Sequence, residues 1–296
     1  MGKHLCTFSG KFGDILWSLP TAKYIAEKMA GGRVDFAVMP YYKSLLPLLV
    51  EQSYIEHAYV IEGWLRTHSN HGDQPWEPPV GHETVPYGGE GEKYEKCWHL
   101  TYKGHPGISA PAIPLVEFIA YQQGISFQNW QVVPFLEVGD EVGVEAEKVW
   151  FGERSIREVI EDKSLVTVGF NEQYAESKER FYEELWRRAE QEGFQFLNVS
   201  DQKLRWCEAA WCIKNSVLYV GCRSAGWVLA NGLGKVAMTF EPHPSRHASG
   251  HLGKIFGNRF GAELALPFGL PERESAGVAL DLLRKTRESV RVPIQG

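Results

Sequence analysis

The sequence lacks the features that would place a protein in or across a membrane. None of its apolar runs approaches the roughly 20 residues that a transmembrane helix needs, although 44% of its 296 residues are hydrophobic. The apolar segment that follows Met1 to His4 is too short for a signal peptide. We therefore expect a cytoplasmic protein without a membrane span.

The sequence also has few cysteines and no excess of positive charge. The five cysteines have no C-x-x-C spacing, which argues against a disulfide framework and against a thiolate zinc site. The net charge of −6 argues against broad electrostatic binding to nucleic acid, since such binding relies on a basic face. Charged residues make up 23% of the chain, an ordinary share that predicts a folded, globular protein.

Several motifs of known enzyme classes are absent. The sequence contains no G-x-S-x-G, H-E-x-x-H or D-x-D, and Gly10-Lys11 is followed by Phe12 instead of the Ser or Thr of a phosphate-binding loop. Three histidines recur every four residues between positions 243 and 251. Prolines beside them break the helix on which that spacing would form a metal site. We therefore expect no metal ion.

The sequence does contain a regular alternation of strand-like and helical segments. Residues 4–8 and 33–39 have strand patterns, and the helical pattern of residues 14–29 lies between them. The alternation starts again at residues 165–170. It predicts an α/β protein with doubly wound parallel sheets. Since the chain exceeds the usual length of one domain, we expect two Rossmann-like domains, residues 1–150 and 151–296, with a ligand cleft between them.

The alternation stops between residues 63 and 95, where Gly, Pro, His and acidic residues dominate. The prolines of this segment prevent regular helices and strands. Loops of such length are usually functional or disordered. The aromatic residues in this one, Trp64 among them, favour a loop that folds over a ligand, and we assign Trp64 to acceptor binding.

The first strand runs into a loop, Ser9 to Gly13, and Asp14 lies where the next helix begins. Glycines let a ligand approach the backbone closely, and the first amides of a helix attract anions. Asp14 is either the N-cap of the helix or a general base, because ligands of open α/β sheets bind at the carboxyl ends of the strands. The two roles are compatible. The rest of the predicted acceptor loop consists of Gly10, Lys11, Phe12 and Gly13.

Residues 219–227 repeat this arrangement of strand end, small residues and helix start. The amides of Ser224, Ala225 and Gly226 and the Ser224 hydroxyl can donate to phosphate oxygens, and Arg223 adds a planar guanidinium. Equally, small residues allow a helix to pack tightly on a sheet. Lys178 precedes another predicted helix; it is an ordinary surface charge unless it faces a cleft, where it would neutralise a diphosphate. The predicted nucleotide-binding set also includes Asp201, Glu241 and His243.

Two short motifs resemble a known family. Gly13-Asp14-Ile15-Leu16 and Leu19-Pro20 match the opening of the heptosyltransferase-like glycosyltransferases of family nine. Residues 220–225 resemble that family's V-G-x-D-[ST]-G, with Arg223 in place of Asp and Ala225 in place of Gly. The resemblance implies the GT-B architecture of two Rossmann-like domains facing across a cleft, with a C-terminal helix that packs back. It also implies Asp14 as catalytic base and Lys178 as a phosphate ligand.

We therefore expect an inverting, metal-independent glycosyltransferase that moves a sugar from a nucleotide diphosphate sugar to an acceptor hydroxyl. The nucleotide sugar is a co-substrate, and no further cofactor is expected. The acceptor is left open between a glycan, a protein and a modified nucleobase. A nucleotide-sugar epimerase of the same architecture and a non-catalytic nucleotide-sugar-binding protein are the alternatives.

Overall fold

The computed structural model describes residues 2–8, 11–60, 94–100, 115–126, 134–142, 149–169, 179–200, 204–221, 224–240, 263–266 and 271–291. These residues form two compact units, the first ending at Val138 and the second beginning at Gly139. Each unit is built around its own parallel β-sheet.

The sheet of the first unit has four parallel strands in the order β3-β2-β1-β4. The strands are β1 (His4–Phe8), β2 (Val34–Val38), β3 (Ile55–Val60) and β4 (Lys96–Leu100). The helices are α1 (Phe12–Lys28), a 3-10 helix (Pro40–Leu45) that leads into α2 (Leu46–Val50), and α3 (Leu115–Gln122).

Helix α1 packs against β1, β2 and α3 and buries most of its residues. Residues 135–137, near the end of the first unit, form hydrogen bonds with the segment just before β3. Gln52 is buried and forms hydrogen bonds to both backbone groups of Glu137, donating to the carbonyl oxygen at 3.1 Å and accepting from the N–H at 2.8 Å. The Tyr54 hydroxyl donates to the Phe135 carbonyl oxygen at 2.7 Å. These bonds satisfy buried polar groups where the unit ends.

The sheet of the second unit has five parallel strands in the order β11-β10-β9-β7-β8. A short hairpin, β5 (Trp150–Phe151) and β6 (Arg154–Ser155), and α4 (Ile156–Glu161) precede the sheet. Its strands are β7 (Leu165–Gly169), β8 (Gln195–Asn198), β9 (Leu218–Gly221), β10 (Ala237–Phe240) and β11 (Glu263–Leu266). The helices are α5 (Glu179–Glu190), α6 (Trp206–Asn215), α7 (Ala225–Gly232) and α8 (Glu272–Arg291).

One face of the second sheet is covered by α5 and the C-terminal helix α8. The apolar residues of α8 follow the helical i, i+3, i+4, i+7 spacing and join a buried cluster with the strands; they are Ala276, Ala279, Leu280 and Leu283. Outside that cluster, the Arg284 Nε donates to Glu192 at 2.9 Å. The C-terminal helix therefore packs on the second sheet, within its own unit.

Most predicted strands and helices are confirmed with ends shifted by a few residues. The strand β11 was not predicted. The loop predicted at residues 63–95 falls almost wholly outside the described residues. None of the helices in the described ranges is long and apolar enough to cross a membrane.

Candidate functional site

The strand order locates one candidate ligand-binding edge in each unit. Ligands of open α/β sheets bind beyond the carboxyl ends of the strands, at the point where the strand order reverses. In the first sheet the chain proceeds from β1 outward to β3 and then returns to the other side of β1 with β4. In the second sheet the reversal lies between β7 and β9. The candidate edges are therefore the carboxyl ends of β1 and β4 and those of β7 and β9.

Asp14 lies in the first turn of α1, directly after the carboxyl end of β1. The N-cap position is occupied by Lys11, so the prediction of Asp14 as N-cap is wrong by three residues. The Asp14 carboxylate instead reaches back and accepts a hydrogen bond from the Lys11 backbone N–H at 3.1 Å. A carboxylate has about four acceptor positions, and this bond leaves room for a second role at the edge of the sheet.

The same contact recurs at the start of two other helices. The Ser155 N–H donates to Glu158 at 2.7 Å before α4, and the Arg205 N–H donates to Glu208 at 2.8 Å before α6. An acidic residue at the third helical position thus caps three of the helices that the structure describes. Capping therefore does not distinguish Asp14 from the two glutamates. Asp14 differs from them because it follows β1, at the point where the strand order of the first sheet reverses.

Two tyrosines follow the carboxyl end of β2 and lie beside the start of α1. The Tyr42 ring meets the Phe12 ring edge-to-face with centroids 4.9 Å apart. Burial, followed by the negative charge of Asp14 and the neighbouring Tyr41, raises the pKa of the Tyr42 phenol. Sequence reasoning did not identify these tyrosines as site residues, although their position directly after a strand was visible.

Thr7 and His99 pair across the reversal of the first sheet. They are opposite each other in β1 and β4, with 3.1 Å between Thr7 Oγ1 and His99 Nδ1. Burial lowers the pKa of His99, which keeps the imidazole neutral at neutral pH. No sequence signal identified this pair, because 92 positions separate the two residues.

Acidification should destabilise the protein through His99. The unfolded chain takes up a proton near pH 6.5, whereas the folded state takes it up only at a lower pH. The contribution of the neutral His99 to the unfolding free energy is therefore fully present above pH 6.5. It is lost as the pH falls through the pKa of His99 in the folded state. We expect the melting temperature of His99→Gln to depend less on pH than that of the wild type between pH 7.5 and 5. Parallel melting curves for the two proteins would contradict this assignment.

Three glycines surround the Tyr219 side chain at the reversal of the second sheet. Tyr219 is fully buried in β9, and Gly169 and Gly221 are paired at the ends of β7 and β9. A Cβ on Gly169 would lie 2.9 Å from Tyr219 Cζ, and one on Gly226 would lie 2.8 Å from its hydroxyl oxygen. A Cβ on Gly221 would lie 2.5 Å from the Gly169 carbonyl oxygen. These glycines are thus required by packing, which supports the packing interpretation of the small residues.

The start of α7 lies beside this cluster. Ser224 is its N-cap residue with an extended backbone, and the Ser224 side chain makes no capping hydrogen bond to the helix. Ser224 and Ala225 are half-buried, while Gly226 is buried. Among the described residues, α7 shows no bond like the one that the Asp14 carboxylate accepts at the start of α1. Its first amides and the serine hydroxyl have the chemistry of an anion site, and phosphate binding stays a prediction.

The remaining predicted site residues lie outside the described residues: Gly10, Trp64, Lys178, Asp201, Arg223, Glu241 and His243. The structure describes Asp14 with Lys11, Phe12 and Gly13 in the first unit, and Ser224 with Ala225 and Gly226 in the second. Within the described ranges, no three His, Cys, Asp or Glu side chains group as a metal site.

Solved structures of glycosyltransferases resemble this chain over nearly its whole length. A family 9 glycosyl transferase from Veillonella parvula DSM 2008 covers 96% of this chain and 97% of its own, with 10% identity and a TM-score of 0.56. The ADP-heptose LPS heptosyltransferase II of E. coli covers 98% and 100%, with 11% identity and a TM-score of 0.58. The chain has the fold of these glycosyltransferases.

A third structure, the E. coli heptosyltransferase WaaC with ADP, agrees with this assignment at 11% identity and a TM-score of 0.53, covering 96% of this chain and 99% of its own. The α/β fold with two parallel sheets that the resemblance implied is therefore confirmed. No protein-family model matches this sequence, and no curated protein sequence matches it.

Proposed function

We propose that this protein is a glycosyltransferase that transfers a sugar from a nucleotide diphosphate sugar to an acceptor hydroxyl. The observation that carries the proposal is the pair of strand–helix junctions on a glycosyltransferase fold. One carries the Asp14 carboxylate, and the other carries the start of α7 with its Ser224 hydroxyl. The first provides a base and the second provides donors for an anion.

In the proposed reaction the acceptor oxygen attacks the anomeric carbon of the donor sugar while Asp14 takes the proton of the acceptor hydroxyl. The bond between the anomeric carbon and the diphosphate oxygen breaks, and its electron pair leaves with the diphosphate. A single displacement of this kind inverts the anomeric configuration. The base contributes by accepting a proton in the transition state.

The departing diphosphate carries negative charge that the protein must balance. The amides of Ser224, Ala225 and Gly226 supply hydrogen-bond donors at a helix start. By resemblance, Lys178 supplies positive charge. Arg223, which replaces the family's Asp, would add a guanidinium that matches the geometry of a phosphate. With these groups the proposed reaction needs no divalent cation.

One observation favours the alternative of a nucleotide-sugar-binding protein without catalysis. The Asp14 carboxylate caps α1 as two glutamates cap other helices, so its presence has a structural explanation. The alternative retains the anion site at α7 and removes the role of Asp14 as base. Turnover by the wild-type protein with an acceptor would exclude this alternative, and exchange of Asp14 for asparagine then tests the role of Asp14 as base.

Nucleoside diphosphates should stabilise the protein in the presence of EDTA. A ligand that binds only the folded state raises the unfolding free energy by about 2.7 kcal/mol at 100 times its Kd. We expect a rise in melting temperature with at least one of ADP, UDP, GDP or CDP at millimolar concentration. Arg223→Ala should reduce that rise. A shift that appears only when manganese is added would contradict metal independence, and no shift with any of the four nucleotides would contradict the function.

A further inference from the structure

The Tyr219 side chain extends along one face of the second sheet to the carboxyl edge of that sheet. Tyr219 lies in the middle strand, β9, and is opposite Thr167 in β7. Gly169 and Gly221 follow these two residues by two positions, so all four residues share one face of the sheet. Two residues of a strand span about 6.6 Å, which is close to the reach of a tyrosine side chain. The Tyr219 hydroxyl therefore lies where β7 and β9 end.

Glycine at three positions leaves the space that this hydroxyl occupies. A Cβ on Gly169 would collide with the hydroxyl oxygen, one on Gly221 would lie 2.9 Å from it, and one on Gly226 would lie 2.8 Å from it. Gly226 belongs to the first turn of α7. The oxygen is thus enclosed by the ends of two strands and the start of the helix that we assign to anion binding.

The hydroxyl is separated from solvent, whereas the start of α7 is not. Tyr219 is fully buried, while Ser224 and Ala225 are half-buried. A group in this place acts on a bound anion through the backbone that it supports. Amides that bind an anion have to be held within about 0.5 Å of the productive position, so the support beneath them matters for affinity.

We propose that Tyr219 is a positioning residue of the nucleotide site. Its hydroxyl sets the distance between the start of α7 and the ends of β7 and β9, and thereby the position of the amides that receive the diphosphate. The inference rests on the proposed function and adds a buried residue to it. Filling the core requires only the aromatic ring, which phenylalanine also has. The glycines instead make room for the oxygen, and buried hydroxyls in folded proteins are hydrogen-bonded.

The test measures the affinity of the full chain for whichever of ADP, UDP, GDP or CDP raises its melting temperature most. Calorimetric titrations are made at a temperature at which every variant is folded. Tyr219→Phe should weaken binding roughly two- to tenfold, the range that the net free energy of one hydrogen bond gives. Tyr54→Phe is the matched control, because Tyr54 is 2% exposed and its hydroxyl donates to Phe135 in the first unit. This control should lower the melting temperature and leave the nucleotide affinity unchanged.

A double-mutant cycle tests whether Tyr219 acts through the start of α7. Gly226→Ala places a Cβ against the Tyr219 hydroxyl and should also weaken nucleotide binding. Tyr219→Phe removes the oxygen that this Cβ would meet. The loss of affinity in the double variant should therefore be smaller than the product of the two single losses, since residues in contact are not additive. Losses that multiply would overturn this route of action.

The outcomes separate this inference from the proposed function. Equal nucleotide affinity in Tyr219→Phe and the wild type, or an equal loss of affinity in Tyr54→Phe, would overturn the positioning role. Absence of binding of all four nucleotides to the wild type would instead contradict the proposed function. If the wild type binds a nucleotide and the Tyr219 hydroxyl does not affect that affinity, the positioning inference fails alone.

Discussion

Asp14→Asn should lower turnover by roughly 100-fold or more while the melting temperature and the nucleotide affinity barely change. Asparagine keeps an oxygen that can accept the Lys11 N–H bond, so the cap of α1 survives. The amide cannot take the proton of an acceptor hydroxyl, so the transition state loses its base. The measurement is kcat with a verified acceptor, together with thermal melts and nucleotide titrations.

The chain provides a matched control for this variant. Glu158 caps α4 from the same helical position, and Glu158→Gln should give a similarly small change in melting temperature with unchanged turnover. Near-normal turnover in Asp14→Asn would refute Asp14 as base. Nucleotide binding without turnover by the wild type with any acceptor would favour the non-catalytic alternative. A large loss of stability would instead mean that the carboxylate is chiefly structural.

Gly221→Ala should be among the most destabilising single methyl additions in the chain. The new Cβ would lie 2.5 Å from the Gly169 carbonyl oxygen and 2.9 Å from its nitrogen, and neither backbone atom can rotate away. Overpacking of a well-packed core costs about 1–3 kcal/mol and occasionally more. We expect the upper end of that range, a fall in melting temperature of roughly 6–12 °C, and weaker nucleoside diphosphate binding.

Gly277→Ala is the control for that experiment. Gly277 lies within α8, where an added Cβ would approach only the end of the Arg188 side chain, at 3.9 Å. Alanine is the better helix former by about 1 kcal/mol, so this variant should be as stable as the wild type or more stable. If both alanine variants melt alike, the backbone at Gly221 adjusts more easily than the close approach indicates.

The fold was largely predictable from the sequence, because alternating strands and helices leave a local hydrophobic pattern. Contacts between distant residues leave no such pattern. Thr7 pairs with His99, which is 92 positions away in the sequence. A side chain at Gly169 would collide with Tyr219, which lies two strands later in the chain. The sequence marked Gly221 and Gly226 as unusual without showing whether a ligand or a side chain requires them.

The candidate site was predictable in part for the same reason. Its two helix starts followed from small residues after strands, and Asp14 was placed in the correct turn. The N-cap residue itself was not predictable, because Lys is an unusual N-cap residue. A sequence also does not define the first residue of a helix to within one position.

The contrast between the starts of α1 and α7 has a consequence for the protein in a living cell. At the start of α1 the Asp14 carboxylate accepts the backbone N–H of Lys11, whereas the Ser224 side chain makes no capping hydrogen bond to α7. If diphosphate supplies that bond, the empty protein is the less stable form, and its half-life should follow the concentration of donor sugar. Cells starved of donor would then degrade the enzyme faster, without any dedicated regulator.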